Sequence, residues 1–228
     1  MIAIVVPAHN EAELIGRCLH SLREAARDRR LEGEPVDIVV ALDDCTDDTE
    51  QIVVSAGVRS IRTDARNVGI ARAAGVAEAL AVGARWLAFT DADSTVAPDW
   101  LHAQVSHGTD AVCGTVDIAD WGCHPASTRI RYAARYQKRD GHRHIHGANL
   151  GVSATAYRHA GGFPPLKSGE DVALVKALAA SGASIAWSSR PRVSTSARPA
   201  PRAPAGFGAY LLALSEPERV DQRSSRAR

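Results

Sequence analysis

The chain has 228 residues and a mass of 24.2 kDa, and 45% of its residues are hydrophobic and 23% charged. This composition is typical of a globular protein and excludes a disordered chain. Lys and Arg number 27 and Asp and Glu 26, and this balance argues against a dedicated nucleic-acid binder, which would carry a large basic excess.

The sequence signals for location are those of a cytoplasmic protein. Each apolar run is shorter than the ~20 residues that span a bilayer, and the first residues, Met1–Val6, lack the positive flank and cleavage site of a signal peptide. The four cysteines do not follow the spacing of a disulfide framework, which predicts reduced thiols. We therefore expect a soluble cytoplasmic protein with no transmembrane segment and no nucleic-acid partner.

Short apolar runs alternate with helical stretches over the first 94 residues, which is the pattern of a parallel sheet covered by helices. Asn10 and Glu13 resemble a capping box at the start of the first helix. The order β-α-β-α-β-α-β predicts a doubly wound α/β fold with a mainly parallel sheet. The predicted elements are strand Ile2–Val6, a helix with the apolar face Leu14, Ile15, Cys18, Leu19 and Leu22, strand Val36–Leu42, helix Thr46–Ala56, strand Val58–Arg62, the alanine-rich helix Gly69–Gly83 and strand Trp86–Phe89.

The pattern loosens after residue 93 and predicts a mixed α/β second half, packed on the first half rather than forming a separate domain. Its predicted elements are a short helix starting at Pro98, strand Ala111–Ile118, a strand over residues 145–152 and helix Val172–Ala180. We expect one domain over residues 1–189 and a basic, proline-rich tail over residues 190–228. The tail holds eight arginines, three acidic residues and five of the eleven prolines.

Polar and acidic clusters follow three of the predicted strands. Because ligands of open α/β sheets bind beyond the carboxyl ends of the strands, these clusters are expected to share one crevice. Adjacent carboxylates repel one another unless a cation compensates them, and Mg²⁺ or Mn²⁺ is the natural occupant of such a site. Each cluster alone is also explained by turns and helix caps. The clusters are Pro7-Ala-His-Asn-Glu11, Asp43-Asp-Cys-Thr-Asp-Asp48 and Thr90-Asp-Ala-Asp-Ser94.

A later acidic pair, Glu170-Asp171, opens a predicted helix. Ser168 and Asp171 have the spacing of a capping box. A helix N-terminus also favours the ionised carboxylate that a general base requires, so a capping role and a catalytic role are compatible.

Taken together and in order, these segments resemble glycosyltransferase family 2, whose members have the GT-A fold and use nucleotide-sugar donors. The resemblance covers roughly residues 2–180. It rests on Val5-Val-Pro-Ala-His-Asn-Glu11, Leu42-Asp-Asp-Cys-Thr-Asp-Asp-Thr49, Asn67-Val-Gly-Ile-Ala-Arg72, Asp91-Ala-Asp93, Gly147-Ala-Asn149 and Gly161-Gly-Phe163 with Gly169-Glu-Asp171.

The resemblance implies an inverting, metal-dependent transfer of one sugar to a hydroxyl acceptor, which is a small molecule or a lipid-linked one. Residues 1–94 become the nucleotide-binding half and residues 95–189 the acceptor and catalytic half. Asp171 is implied as the general base, supported by Glu170, and Asp93 is the implied direct metal ligand, with Asp91 beside it. The implied nucleotide- and donor-binding residues are Pro7, His9, Asn10, Glu11, Asp43, Asp44, Asn67, Arg72, Asp91, Gly147 and Asn149.

The sequence departs from the family pattern in places. Cys45-Thr46 replaces the usual Gly-Ser after the two aspartates, which affects the expected turn but not the acids. The Gln-x-x-Arg-Trp motif of processive members does not follow Asp171, and this favours the addition of one sugar per encounter.

Two other functions fit parts of the pattern. A nucleotidyltransferase would need a glycine-rich loop with a basic residue after the first strand, and the loop Pro7–Glu11 does not supply it. A non-catalytic relative that binds a nucleotide without turnover would not need Asp91, Asp93 and Asp171.

The histidines and the tail leave alternatives open. His142, His144 and His146 alternate and would share one face of a strand, either in a zinc site with unusual spacing or at an edge where His146 touches substrate. The tail carries an amphipathic stripe, which would pack on the body or on a second subunit of a homodimer, or contact a membrane surface. Its arginines Arg190, Arg192 and Arg198 could also close over the diphosphate. The stripe is formed by Phe207, Tyr210, Leu211 and Leu214.

Overall fold

The computed structural model describes residues 1–198 and 206–215. Within these residues, eight strands form a single sheet in the order β3-β2-β1-β4-β7-β6-β8-β5. The strands are β1 (Ile2–Ala8), β2 (Val36–Asp43), β3 (Arg59–Thr63), β4 (Trp86–Phe89), β5 (Thr95–Val96), β6 (Ala111–Ile118), β7 (Leu150–Ser153) and β8 (Ile185–Thr195).

Helices cover both faces of this sheet. A 3-10 turn, Gly147–Asn149, directly precedes β7. The α-helices are α1 (Ile15–Ala26), α2 (Thr49–Ser55), α3 (Val68–Ala81), α4 (Trp100–Val105), α5 (Ala126–Arg135), α6 (Ala154–His159), α7 (Glu170–Ala180) and α8 (Phe207–Ser215).

The sheet is parallel in its first half, as the sequence predicts, and mixed in its second. Strands β3, β2, β1 and β4 run parallel, whereas β7 runs antiparallel to both of its neighbours, β4 and β6. Strand β8 is parallel to β6. The carboxyl ends of β1, β2, β4, β6 and β8 therefore meet at one edge, and the reversed strand β7 begins at that same edge.

Alternate residues of β1 supply two separate cores. Ile2, Ile4 and Val6 pack on the face covered by α1 and α4, whereas Ala3 and Val5 pack on the face covered by α3 and α7. All four residues of β4 are buried, which confirms the expectation of a strand covered on both faces.

Neither predicted capping box forms. Helix α1 begins at Ile15 without a side-chain cap, since the Asn10 carboxamide oxygen accepts the N–H of Thr46, at 2.7 Å, and so joins the loops after β1 and β2. Helix α7 begins after Gly169, whose backbone is left-handed with a φ of 76°. This helix also has no side-chain cap.

The expected start of the tail at residue 190 falls inside β8, so residues 190–195 belong to the sheet. The amphipathic stripe does form a helix, α8, and its Leu211 and Leu214 are buried. The hydroxyl of Thr128 on α5 donates to Ser215 on α8, at 2.9 Å, so α8 packs on the body. Residues 199–205 and 216–228 of the expected tail lie outside the described residues. In the part of the chain that is described, no helix combines the length and apolarity needed to cross a bilayer.

The close packing of α3 on the sheet depends on Gly75. A Cβ added at Gly75 would lie 2.6 Å from Cγ1 of the buried Val5, whereas one added at the exposed Gly16 of α1 would lie 4.0 Å from its nearest neighbour. We expect Gly75→Ala to lower the free energy of unfolding by ~1–2 kcal/mol through overpacking. The matched variant Gly16→Ala should raise it by about 0.5 kcal/mol through helix propensity. Equilibrium urea unfolding measures both, and equal effects of the two changes would contradict the close approach.

Candidate active site

A cavity of about 850 Å³ opens at the edge of the sheet where the parallel strands end. Most of the residues singled out in the sequence line it, although they come from six separate segments of the chain. They are Pro7, His9, Glu11, Asp43, Asn67, Arg72, Asp91, Asp93, Gly147, Glu170 and Asp171. Asn10, Asp44 and Asn149 do not line it.

Arg72 of α3 joins the two halves of the cavity. One terminal nitrogen of its guanidinium is 2.5 Å from Oδ1 of Asp91, and the other donates to Oε1 of Glu170. Only 3% of the Arg72 side chain is exposed. A charge buried to this degree requires paired partners, so Arg72 fixes the loop after β4 to the start of α7.

Gly147 and Phe163 shape the space around the Arg72 guanidinium. A Cβ at Gly147 would lie 2.3 Å from an Arg72 nitrogen, so the backbone before β7 approaches the guanidinium as only glycine allows. On another side, the guanidinium carbon lies 5.7 Å from the centre of the Phe163 ring. The segment Gly161-Gly-Phe163 thus contributes a ring beneath the buried charge, a role that its sequence did not indicate.

Asp171, the second residue of α7, lines the cavity. The N–H of Gly147 donates to its Oδ2 at 2.7 Å, and the N–H of Val172 donates to its Oδ1 at 2.8 Å. These two bonds fix the plane of the carboxylate while each oxygen keeps a free lone pair. The neighbouring Glu170 is buried and turned towards Arg72 instead.

Asp43, at the end of β2, organises the loop that leads into α3. Its carboxylate accepts the hydroxyl of Thr63 and the N–H groups of Ala65, Arg66 and Asn67, at 2.7–3.1 Å. Asn67 in turn caps α3 by accepting the N–H of Ile70, at 3.2 Å. Asp43 therefore shapes the cavity wall through this loop.

Asp93 has a second arginine as its partner. Nη2 of Arg198, just beyond β8, is 3.1 Å from Oδ2 of Asp93 and 2.7 Å from Oε2 of Glu11. The hydroxyls of Ser94 and Thr195 each donate to Oδ1 of Asp93, at 3.3 Å. Of the three arginines considered as a closing loop, Arg198 reaches the cavity, whereas Arg192 pairs with Asp99 and Arg190 is exposed on β8.

The buried charges perturb one another. Burial works to lower the pKa of Arg72, but Asp91, Glu170 and Asp171 outweigh it and raise that pKa. Burial raises the pKa of Glu170 against the opposing charge of Arg72. Burial also raises the pKa of Asp93, with Arg198 opposing and Glu11 adding to the increase. Burial thus opposes ionisation of Glu170 and Asp93, and positive charge beside these carboxylates favours their ionised forms.

The oxygen atoms around Asp93 are compatible with a hard divalent ion. Asp93 and Glu11 supply carboxylates and Thr195 a hydroxyl at one corner of the cavity, and the buried Ser94 hydroxyl lies beside Asp93. Among the described residues no group of three or more His, Cys, Asp and Glu side chains is arranged to hold a metal by itself. Mg²⁺ and Mn²⁺ need only one or two carboxylates when phosphate oxygens complete the coordination, so the donor set fits. The zinc alternative for the histidines has no such group in the described part of the chain.

Aromatic side chains form the wall of the cavity next to Asp171. The Tyr136 ring stacks on His144 with centroids 4.1 Å apart, and its hydroxyl lies 2.8 Å from Nε2 of His146. The ring of Phe207, from α8, meets His146 edge-on at 5.6 Å. Burial, together with His144 and His142, lowers the pKa of His146 to about 3, so its imidazole is neutral at pH 7. The histidines thus belong to an aromatic stack rather than to one face of a strand.

The three predicted residues outside the cavity have structural contacts. Asp44 pairs with the exposed Arg66, and Asn10 holds the loop after β2. Asn149 is completely buried: its amide nitrogen donates to the carbonyls of Thr115 and Pro191, and its oxygen accepts the indole N–H of Trp100. Asn149 therefore belongs to the core and not to the wall of a donor-sugar pocket.

Several cavity residues were not found from the sequence. Thr195 follows the same end-of-strand pattern as Asp43 and Asp91, and it was missed because the domain was expected to end at residue 189. Tyr136 and Lys167 also line the cavity, and no local pattern in the sequence marks them.

This sheet and this set of carboxylates define an enzyme class, the glycosyltransferases with a GT-A fold. Residues 3–160 match glycosyl transferase family 2, and because the match covers more than half of the chain, the chain belongs to that family.

The chain is similar to proteins that act on carbohydrates. It is 36% identical to the succinoglycan biosynthesis protein ExoO of Rhizobium meliloti (strain 1021) over 115 residues, which are 48% of this chain and 30% of ExoO. Its fold is similar to that of S. aureus TarS 1-349 in complex with UDP, with a TM-score of 0.66, 20% identity, and coverage of 87% of this chain and 61% of that one. The mannosyltransferase PcManGT from Pyrobaculum calidifontis, in complex with GDP-Man and Mn²⁺, gives a TM-score of 0.63 at 19% identity, with 86% and 57% covered. The chain thus spans less than two thirds of the length of each of these proteins.

The burial of Asn149 yields a test of its role. Asn149→Ala would leave the Trp100 N–H and two carbonyls without partners in the core, so we expect the free energy of unfolding to fall by ~3 kcal/mol or more. Gln51→Ala, which removes an exposed amide from α2, should change it by less than ~0.5 kcal/mol. Urea unfolding of both variants makes the comparison. A stable Asn149→Ala protein with weakened nucleotide binding would instead place Asn149 in the binding site.

Proposed function

We infer that this glycosyltransferase is inverting and metal-dependent and moves one sugar from a nucleotide-diphospho-sugar to an acceptor hydroxyl. One observation carries the proposal: a single cavity contains the Asp91-Ala-Asp93 pair and the hydrogen-bonded carboxylate of Asp171. The UDP bound to TarS and the GDP-Man bound to PcManGT support a nucleoside diphosphate as the leaving group.

The nucleotide is assigned to the first half of the cavity. The loop from Pro7 to Glu11 and the loop that Asp43 holds in place form its walls. These loops follow the neighbouring parallel strands β1 and β2, and β1 and β4 flank the switch point where ligands of such sheets bind. Arg72 orients Asp91 next to this space through their ion pair.

Asp93 is the residue we assign to the divalent ion, with Asp91 beside it. When bound, the ion supplies positive charge that neutralises the departing diphosphate. The Mn²⁺ in the PcManGT complex supports this assignment, as does the group of oxygen atoms around Asp93.

Asp171 is assigned as the general base. An alcohol is a poor nucleophile until its proton is accepted, so Asp171 takes the hydroxyl proton as the acceptor oxygen bonds to the anomeric carbon. The bond from that carbon to the diphosphate oxygen breaks in the same displacement, and its electrons leave with the nucleoside diphosphate. Attack from the face opposite the leaving group inverts the anomeric centre. The N–H bonds from Gly147 and Val172 hold the carboxylate in position for this transfer.

The acceptor is assigned to the aromatic wall beside Asp171. Phe207 and the exposed Tyr210 present ring surface at the mouth of the cavity, and His146 lies next to Gly147. A membrane contact of α8, a second subunit and a cytoplasmic location stay predictions.

The donor site is tested by thermal unfolding with a panel of UDP, GDP, ADP, CDP, UDP-GlcNAc and GDP-Man, each with and without Mn²⁺. A ligand at 100 times its Kd stabilises the folded state by ~2.7 kcal/mol, which for a chain of this size raises the Tm by about 5–10 °C. We expect one base to give such a shift, and the shift to require Mn²⁺. Stabilisation that is the same without Mn²⁺ would contradict metal dependence, and no stabilisation by any of the six would contradict the donor site.

The base is tested by Asp171→Asn, which keeps an oxygen to accept the Gly147 N–H but cannot take a proton at pH 7. Turnover, measured as nucleoside diphosphate released from the donor that the panel identifies, should fall by ~10²–10⁴-fold. The Kd of the donor should stay within about threefold, because Asp171 acts on the acceptor.

Asp120→Asn, at an exposed turn outside the cavity, is the matched control and should keep wild-type turnover. Activity within tenfold of wild type in Asp171→Asn would assign the base elsewhere. Donor binding by the wild-type protein without any turnover would favour the non-catalytic relative.

A further inference from the structure

The corner of the cavity assigned to the divalent ion already contains a positive charge. Arg198 donates from one nitrogen to both Asp93 and Glu11, and the exposed fractions of these three side chains are 21%, 19% and 11%. Because the contact is to Oδ2 of Asp93 and two hydroxyls contact Oδ1, both carboxylate oxygens of Asp93 have partners. A cation that binds Oδ2 of Asp93 would lie beside the positive charge of the guanidinium, and this repulsion opposes its binding until the guanidinium moves away.

Arg72 and Arg198 differ in their freedom to move. Arg72 is almost completely buried and is held by acids from two elements, Asp91 and Glu170. Arg198 lies beyond the last residue of β8, retains solvent contact, and donates to both acids from the same nitrogen, Nη2. The remaining N–H groups of its planar fork match the geometry of phosphate oxygens. Arg198 is therefore the group that can exchange a carboxylate for a phosphate.

We propose that Arg198 is an internal counter-ion that holds Asp93 and Glu11 until the donor arrives, and then moves to the diphosphate as the divalent ion takes Asp93. The ion alone must displace a paired guanidinium, and the diphosphate alone must draw that guanidinium away from two carboxylates. When both bind together, each exchange compensates the other, so the two ligands raise each other's affinity by the same factor. The part of the proposal that concerns the nucleotide rests on the proposed function, whereas the competition between Arg198 and the ion does not.

The competition is tested with Mn²⁺ alone, titrated into the nucleotide-free protein and followed by electron paramagnetic resonance of free Mn²⁺. Arg198→Gln removes the competing charge, and we expect it to bind Mn²⁺ at least ~5-fold more tightly than wild type, at the lower end of typical coupling factors. Arg192→Gln removes an equal charge from β8 but pairs with Asp99 outside the cavity, and it should bind Mn²⁺ as wild type does. Equal affinities of wild type and Arg198→Gln, including no binding by either, would overturn the competition.

The exchange is tested with the nucleoside diphosphate selected by the thermal panel, in saturating Mn²⁺. Arg198→Gln should bind it at least ~5-fold more weakly than wild type, so that tighter metal binding and weaker nucleotide binding occur in one protein. Unchanged nucleotide affinity would overturn the exchange. A wild-type protein that binds no nucleotide would reject the proposed function, and with it the exchange, while the Mn²⁺ titration would still decide the competition.

Arg198→Lys separates the effect of charge from a folding defect. It keeps the positive charge but not the planar fork, so Mn²⁺ affinity should stay within about twofold of wild type while nucleotide affinity falls. A folding defect would weaken both ligands together. Wild-type nucleotide affinity in Arg198→Lys would overturn the role of the fork.

Discussion

The buried guanidinium of Arg72 is the interaction on which the geometry of the active site depends. It is 3% exposed and joins Asp91, from the loop after β4, to Glu170, at the start of α7. A buried charge that loses a partner costs several kcal/mol, so the two acids cannot separate without a large penalty. The distance between the loop after β4 and the start of α7 is therefore set by one side chain from α3.

The direction of the strands explains why this single side chain suffices. Five strands end at the cavity, and β7, which is reversed, begins there, so Gly147 arrives next to Arg72 with no Cβ to obstruct it. The same glycine donates its N–H to Asp171. Arg72, Gly147 and Asp171 thus form one continuous group, in which the position of the Asp171 carboxylate follows from the packing around the arginine.

The sequence predicts the part of this arrangement that depends on local pattern. Strand β4 and the acids that follow it are predicted because an uninterrupted apolar run and its end are readable from neighbouring residues. The reversal of β7 is not predicted, since no local pattern fixes the direction in which a short strand joins a sheet. Asn149 shows the same limit: the family resemblance implied a role in the cavity, but three hydrogen bonds to Thr115, Pro191 and Trp100 turn it into the core. Likewise, Arg198 was considered, but its contact with Asp93 depends on how β8 pairs with β6.

The contact between Glu11 and Arg198 joins residues 187 positions apart. Closing so long a loop has an entropic cost that must be met before the contact forms, and chains rich in such contacts fold slowly. A partly folded chain that has built only β1 to β4 already carries Asp43, Asp91 and Asp93, but it lacks Asp171 and Arg198. The corner of the cavity around Asp93 is therefore complete only when β8, the last strand in the sequence, has docked.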